Sequence, residues 1–285
     1  MSPPQATAAA VRERSGAVVR ALLLCGLLAA FARQPSACTR ALYLTLDTGN
    51  MASAELIASI LAKHQVKATF FLANEKTPEG NASLDPRWRD YWRARVEEGH
   101  AFGNHTFDHV YFPPEAARSR GQASDPAAES LDGRFRARPQ FGVQAGKTLH
   151  WNQTALCAEL ARVDQRFQEL TGARLSAWWR APGGRAPHEV HRAARACGYR
   201  HVHWAPAGFL GDELPSERYP NAVLVSKALR EIRAGDILMA HLGIWSRREA
   251  FAPALDPLIE GLKAKGFCFR TLHEHPDFKA GSAGQ

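Results

Sequence analysis

Two hydrophobic periods alternate along this chain, and each switch marks an element. Ala41 to Leu46 (ALYLTL) is apolar and β-prone and is cut off by Asp47-Thr48-Gly49-Asn50, which predicts a strand ending at Asp47. Leu56, Ile57, Ile60 and Leu61 then fall on one helix face. Lys67 to Leu72 (KATFFL) predicts a second strand. Arg87 to Glu98, with Trp88, Tyr91 and Trp92 at helical spacing, predicts a helix closed by Gly99. Ala101-Phe102-Gly103-Asn104 predicts a short third strand. Leu156, Leu160, Val163, Phe167 and Leu170 form a longer apolar stripe that stops at Thr171-Gly172. Strands are then predicted at 177–180, 200–204, 237–240 and 267–271, with helices at 187–197, 223–234 and 250–265 between them.

Residues 111–152 break this rhythm. They are rich in Pro, Gly, Ala, Arg and Ser, and they predict an irregular, surface-lying insertion on the substrate side. Elsewhere the strand–helix alternation predicts an α/β fold with a parallel sheet and crossover helices. Pattern alone leaves a barrel and a doubly wound sheet both open. In either architecture the reactive groups belong at the C-terminal ends of the strands.

Composition adds two things. A chain of 285 residues with 45% hydrophobic and 22% charged residues has enough apolar surface for one large folded domain. The net charge of +8 comes from basic residues scattered among acids, with no Lys/Arg block, so a nucleic-acid partner is not expected. At the N-terminus, Arg12, Arg14 and Arg20 precede an apolar run from Ala21 to Phe31, and Ala30-Phe31-Ala32 supplies small residues for cleavage. That order is expected of an export signal over residues 1–32, with an uncleaved anchor as the alternative. Its removal leaves a charge near +6, because Arg12, Glu13, Arg14 and Arg20 leave with it. A short linker, 33–39, a main domain, 40–275, and a tail, 276–285, complete the expected organisation of a periplasmic or extracellular protein. Peripheral association with the envelope fits that location. Cys25 lies in the signal, while Cys38, Cys157, Cys197 and Cys268 are too widely spaced for a zinc finger, leaving disulfides and buried thiols both open.

The predicted strand ends carry the chemistry: Asp47 after the first, His105 and His109 after the third, then Arg180 and His241. Two imidazoles four residues apart converge on one metal if the segment makes a single helical turn; otherwise they are surface histidines. Asp108 between them would orient a ligand or cap the turn. A carboxylate such as Asp47 closing an apolar strand either works chemically or caps the next helix. Arg180, between Trp179 and Pro182-Gly183-Gly184, needs a carboxylate partner.

The order of these segments resembles the polysaccharide deacetylase family (NodB homology, carbohydrate esterase family 4). The resemblance runs over about residues 40–275 through Thr45-Leu46-Asp47-Thr48-Gly49, His105-Thr106-Phe107-Asp108-His109, Arg180-Ala181-Pro182-Gly183-Gly184 and Met239-Ala240-His241. It implies a distorted seven-stranded (β/α) barrel. It implies Asp47 as general base, Arg180 as the residue that orients it, and His241 as general acid. His105 and His109 would hold one divalent ion, Zn²⁺ first and Co²⁺, Ni²⁺ or Mn²⁺ otherwise. The substrate implied is an N-acetylated polysaccharide or oligosaccharide, with O-acetyl groups as a variant. Trp204, Pro182, Gly183 and Asp212 are expected to contact it, and Asp212 or Glu213 to partner Arg180.

One departure matters. The family's third metal ligand is a second Asp in the first motif, and Thr48 stands there. A neutral hydroxyl is a much weaker ligand than a carboxylate. Either Asp47 itself approaches the ion, or Thr48 holds a water, or the site is impaired. Three functions follow: a deacetylase, a catalytically weak carbohydrate-binding protein on the same fold, or a deformylase or amide hydrolase of the same superfamily.

Overall fold

A computed structural model describes residues 38–114 and 134–279. The expected signal at 1–32, most of the linker at 33–39, part of the 111–152 stretch and the end of the tail lie outside the described residues. β1 (Ala41–Asp47) is central. Six of its seven residues are buried, as expected of a strand covered on both faces. β2 (Thr69–Leu72), β3 (Ala101–Asn104), β6 (Trp178–Trp179), β7 (Arg200–His201), β8 (Ile237–His241) and β9 (Cys268–Phe269) complete the parallel sheet. Its order is β7-β6-β3-β2-β1-β8, with β9 paired to the first residues of β1. After β7 the chain segment at 205–210 runs alongside β8. Ala205 N donates to the Ile237 carbonyl at 3.0 Å, Leu210 N donates to the Met239 carbonyl at 3.2 Å, and Phe209 bridges Met239 in parallel. The result is a distorted seven-stranded α/β barrel, which settles the choice that pattern left open.

Helices α1 (Ala54–His64), α2 (Arg89–Glu97), α3 (Gln153–Thr171), α4 (His188–Ala196), α5 (Asn221–Glu231) and α6 (Ala252–Ala264) accompany the strands. Their ends follow local chemistry. The Asn152 side chain accepts from Ala155 N at 3.0 Å to open α3, and Gly172, with φ 79°, closes it in the left-handed region. The main core packs Phe70 against Phe102 and Trp92, and Phe102 against Phe167 from α3, with ring centroids 4.7 Å apart in the last pair. A smaller core gathers Phe135, Leu156, Leu160, Trp179 and Val190.

The stretch read as irregular holds more order than its composition suggests. β4 (Phe135–Ala137) and β5 (Leu149–Trp151) form an antiparallel pair, and Phe135 and Ala137 are buried in the smaller core. Cys38 bonds Cys268, and Cys157 in α3 bonds Cys197 just past α4. No helix among the described residues is long and apolar enough to cross a membrane.

Candidate active site

Parallel pairing brings the strand ends to one edge. Asp47 lies beside Phe71 and His241, Leu72 beside Asn104, and Asn104 beside Trp179. The ladder runs one step further. His105 N donates to the Leu72 carbonyl and Arg180 N to the Asn104 carbonyl, both at 2.8 Å, so His105 and Arg180 enter the same space as Asp47.

Asp47 is 2% exposed and Arg180 is fully buried. Arg180 Nη1 donates to Asp47 Oδ1 at 2.7 Å and to Thr45 Oγ1 at 2.8 Å, and its Nε donates to the Val202 carbonyl at 3.2 Å. Burial pushes the Asp47 pKa up. The charges of Arg180, His105 and His241, with the Arg180 hydrogen bond, outweigh that and hold it below the ordinary carboxylate value. Its free oxygen, Oδ2, faces His105 Nε2 at 3.6 Å. Burial drives His105 down to about 4, against the pull of Asp47, so the ring is neutral at neutral pH. Its Nδ1 lies 2.9 Å from the Arg180 carbonyl, which only accepts. Nδ1 therefore carries the ring proton, and Nε2 turns a lone pair toward Asp47.

His241 stands beside Asp47 on the neighbouring strand. Asp212 accepts from its backbone N–H at 2.6 Å and from Nδ1 at 3.1 Å, while Nε2 lies 3.2 Å from Glu213 Oε1. Burial would lower the His241 pKa, but Asp212, Asp47 and Glu213 together raise it to about 10. At neutral pH the site thus pairs an ionised carboxylate with a protonated imidazole, a base and an acid separated by environment.

Asp47, His105 and His241 border a cavity of about 470 Å³ that also takes in His109, Glu75 and Glu213. Its aromatic walls are Tyr111, Phe141, Trp204 and Trp245, the last 60% exposed. The turn after Arg180 makes room for two of them. A Cβ on Gly183 would meet the Tyr111 ring at 2.9 Å, and one on Gly184 would meet Trp204 at 2.3 Å. A larger groove, about 880 Å³ between α5 and α6, contains no acid and no imidazole.

Several expectations change. Residues 105–109 do not form a helical turn. Thr106 and His109 have φ of 62° and 47°, a conformation that is strained for non-glycine residues and concentrates at functional sites. Thr106 N bonds Asn104 Oδ1 and Val110 N bonds Thr106 Oγ1, which holds the loop so that the two rings stand 5.0 Å apart. Asp108 pairs with Arg162 at 2.7 Å, and its side chain makes no hydrogen bond to either imidazole. Asp212 does not meet Arg180, whose partner is Asp47, and it does not border the main cavity; it holds His241. Gly183 and Trp204 border the cavity, whereas Pro182 is buried and does not border it.

The metal set is incomplete. Thr48 does not face the cavity; its hydroxyl accepts from Ala73 N at 3.0 Å and is buried. Among the described residues no group of three or more His, Cys, Asp or Glu is placed to share one ion. His105 Nε2 and Asp47 Oδ2 do converge as two lone-pair donors, with His109 nearby, but the three-ligand site implied by resemblance is not assembled.

Sequence reading missed Glu75, Tyr111 and Phe141 as site residues. Glu75 is buried, and its Oε1 accepts from Gly49 N at 2.8 Å, which ties the exit of β2 to the turn after Asp47. Its signal was its position three residues past a predicted strand end.

Residues 35–202 match the family model described as polysaccharide deacetylase. The chain is 22% identical over 236 residues to the peptidoglycan-N-acetylmuramic acid deacetylase PdaA of Bacillus subtilis, covering 82% of this chain and 71% of that protein. Its fold is similar to that of a family 4 acetyl xylan esterase from Clostridium thermocellum in complex with a cobalt ion, with 19% identity, a TM-score of 0.58, and 82% of this chain and 89% of that one covered. It is also similar to a family 4 pseudoenzyme from Bacillus anthracis, with 20% identity, a TM-score of 0.56, and 83% and 65% covered. At these identities the two structures speak for the fold alone.

Proposed function

The chain belongs to the polysaccharide deacetylase family, and from that premise we propose that it hydrolyses N-acetyl groups on an envelope or extracellular polysaccharide. The observation that carries this reading is the pairing of Asp47, held by Arg180, with His241, held by Asp212, side by side at the edge of one cavity.

The chain's own residues account for the protons. Asp47 Oδ2 is the oxygen left free by Arg180, and it takes a proton from a water in the cavity as that water attacks the acetyl carbonyl. His241 Nε2–H gives its proton to the sugar nitrogen, the C–N bond breaks, and acetate and a free amine leave. No step here runs through a metal, because the ligand set does not fit the family's site. If a divalent ion binds, His105 and Asp47 are the two donors it meets, with His109 nearby, and its hold is weaker than a three-ligand set provides. The substrate class follows the peptidoglycan named for the similar Bacillus subtilis protein. Export is part of the proposal, supported by the N-terminal charge and hydropathy order and by two disulfides.

A second reading, a sugar-binding protein with little or no turnover, is favoured by Thr48, whose hydroxyl is spent on the backbone. Metal content and acetate release from N-acetylglucosamine oligomers and peptidoglycan, with and without added Zn²⁺ or Co²⁺, separate the two. Acetate release that disappears in Asp47→Asn and His241→Ala supports the deacetylase. No release from the folded protein under any ion selects the second reading, and formate in place of acetate selects a deformylase.

A further inference from the structure

We propose that Glu213 is a displaceable latch on His241, occupying the place in front of Nε2 that the substrate nitrogen must take. The inference rests on the deacetylase reading above. His241 has two ring nitrogens, and their surroundings differ. Nδ1 belongs to Asp212, whose side chain is 4% exposed and which also accepts the His241 backbone N–H, so that contact is fixed. Nε2 has Glu213 Oε1 at 3.2 Å, and the Glu213 side chain is 46% exposed. Glu213 can swing into solvent as Asp212 cannot.

A nitrogen that is to receive the His241 proton must come within about 3 Å of Nε2, roughly in line with the N–H bond. Glu213 Oε1, an ion-pair contact 3.2 Å from Nε2, crowds that approach, so carboxylate and leaving group compete for it. The charges facing Glu213 make its hold moderate. His241 from β8 and His109 from the loop after β3 attract it, while Asp47 from β1 and its chain neighbour Asp212 repel it. Tyr111, across the cavity, is a neutral phenol whose own pKa is raised, first by burial and then by Glu213. Burial first, and the two carboxylates next, push the Glu213 pKa up. The latch therefore opens in two ways: substrate displaces it, or a proton neutralises it as the pH falls. Either event also removes one of three negative neighbours from His241 and makes it a stronger acid.

Glu213→Ala removes the latch, and Glu213→Gln keeps its shape without its charge. Calorimetric titration of the whole chain with an N-acetylglucosamine oligomer is expected to show Glu213→Ala binding about three- to tenfold tighter than wild type, with Glu213→Gln between them. KM follows the same order while kcat changes little. Wild-type affinity rises toward acid pH, and that of Glu213→Gln does not. Unchanged or weaker binding in Glu213→Ala overturns the proposal, as does a collapse of kcat in Glu213→Gln at constant KM. An NMR titration of the His241 ring stands apart from turnover: its midpoint falls below the wild-type value in Glu213→Gln, and an unmoved midpoint overturns the latch. If no variant binds the oligomer or releases acetate, the deacetylase reading fails, and the NMR result still decides the latch.

Discussion

Breaking the Asp47–Arg180 pair one side at a time, and then from both sides, separates its structural role from its chemical one. The side chains are 3% and 0% exposed, with 2.7 Å between Oδ1 and Nη1. Removing one partner of a buried pair leaves an uncompensated charge and costs about 3–5 kcal/mol. Asp47→Asn falls at the lower end, because Arg180 keeps Thr45 Oγ1, the Val202 carbonyl and its place 4.2 Å over the Phe71 ring. At about 2–4 °C per kcal/mol for a domain of this size, Asp47→Asn lowers Tm by about 6–12 °C. Arg180→Met leaves a buried carboxylate and also loses the bond to Val202, so it falls further. Asp47→Asn with Arg180→Met removes both charges at similar volume and is more stable than either single variant. Urea unfolding at pH 7 reads the cycle. Strictly additive losses would show that the pair is not the buried unit described here. The pH dependence has a defined sign. A carboxylate whose folded pKa is depressed stabilises above its unfolded value near 3.9, and that stabilisation is lost as pH falls through the folded value. The gap between wild type and Asp47→Asn therefore closes below about pH 4. All three variants release no acetate; turnover by Asp47→Asn would remove Asp47 from the role of base.

Three further outcomes are expected. Because the His241 pKa is raised to about 10, its pairing with Asp212 stabilises fully below about pH 6.5 and is lost as pH climbs through the raised value; Asp212→Asn is thus less stable than wild type at pH 6, the gap narrows toward pH 10, and a constant gap in urea midpoints would contradict the pairing. Thr48→Asp places a carboxylate that can turn from the Ala73 N–H toward the cavity, so Zn²⁺ affinity is expected to rise at least about tenfold by calorimetry, and unchanged affinity would mean that the carboxylate stays on the backbone. The Cys157–Cys197 bond closes a loop with a sequence separation of 40, so Cys157→Ser with Cys197→Ser loses about 4 kcal/mol, seen as a Tm lower by about 8–16 °C, whereas an unchanged Tm would show that the bond contributes nothing.

Asp47, His105, Arg180 and His241 are legible in the sequence because each stands at or just past the end of a short apolar run, and parallel strands bring such positions to one edge. The loop between His105 and His109 is not legible. Nothing in the letters Thr106 or His109 announces a positive φ, and a helical turn was the natural expectation from their spacing. The Asp212–His241 pair is hidden for a different reason. β7 is two residues long, and the irregular path after it follows β8 through the Phe209–Met239 bridge and a few backbone hydrogen bonds, so a contact across 29 residues depends on a segment with no period to read. The 111–152 stretch misled through composition: its Gly- and Pro-rich character marks the turns of the β4–β5 pair, while Phe135 and Ala137 carry the burial.

Position 48 is where local and chemical demands diverge. Thr48 N donates to the Phe71 carbonyl at 3.1 Å, and its hydroxyl accepts from Ala73 N at 3.0 Å, so this residue fastens the end of β1 to the exit of β2 on both sides. An Asp there would have to serve either the Ala73 N–H or an ion in the cavity with each oxygen. Thr serves the backbone alone. Thr48 therefore gives a fixed strand end where the family resemblance implies a metal ligand, and the Asp47–Arg180 and His241–Asp212 pairs stand beside it. Four mutually compensating charges stand at one edge of the barrel, and burying such groups is costly unless every partner is present. Their presence together is the reason to test for turnover first and for bare sugar binding second.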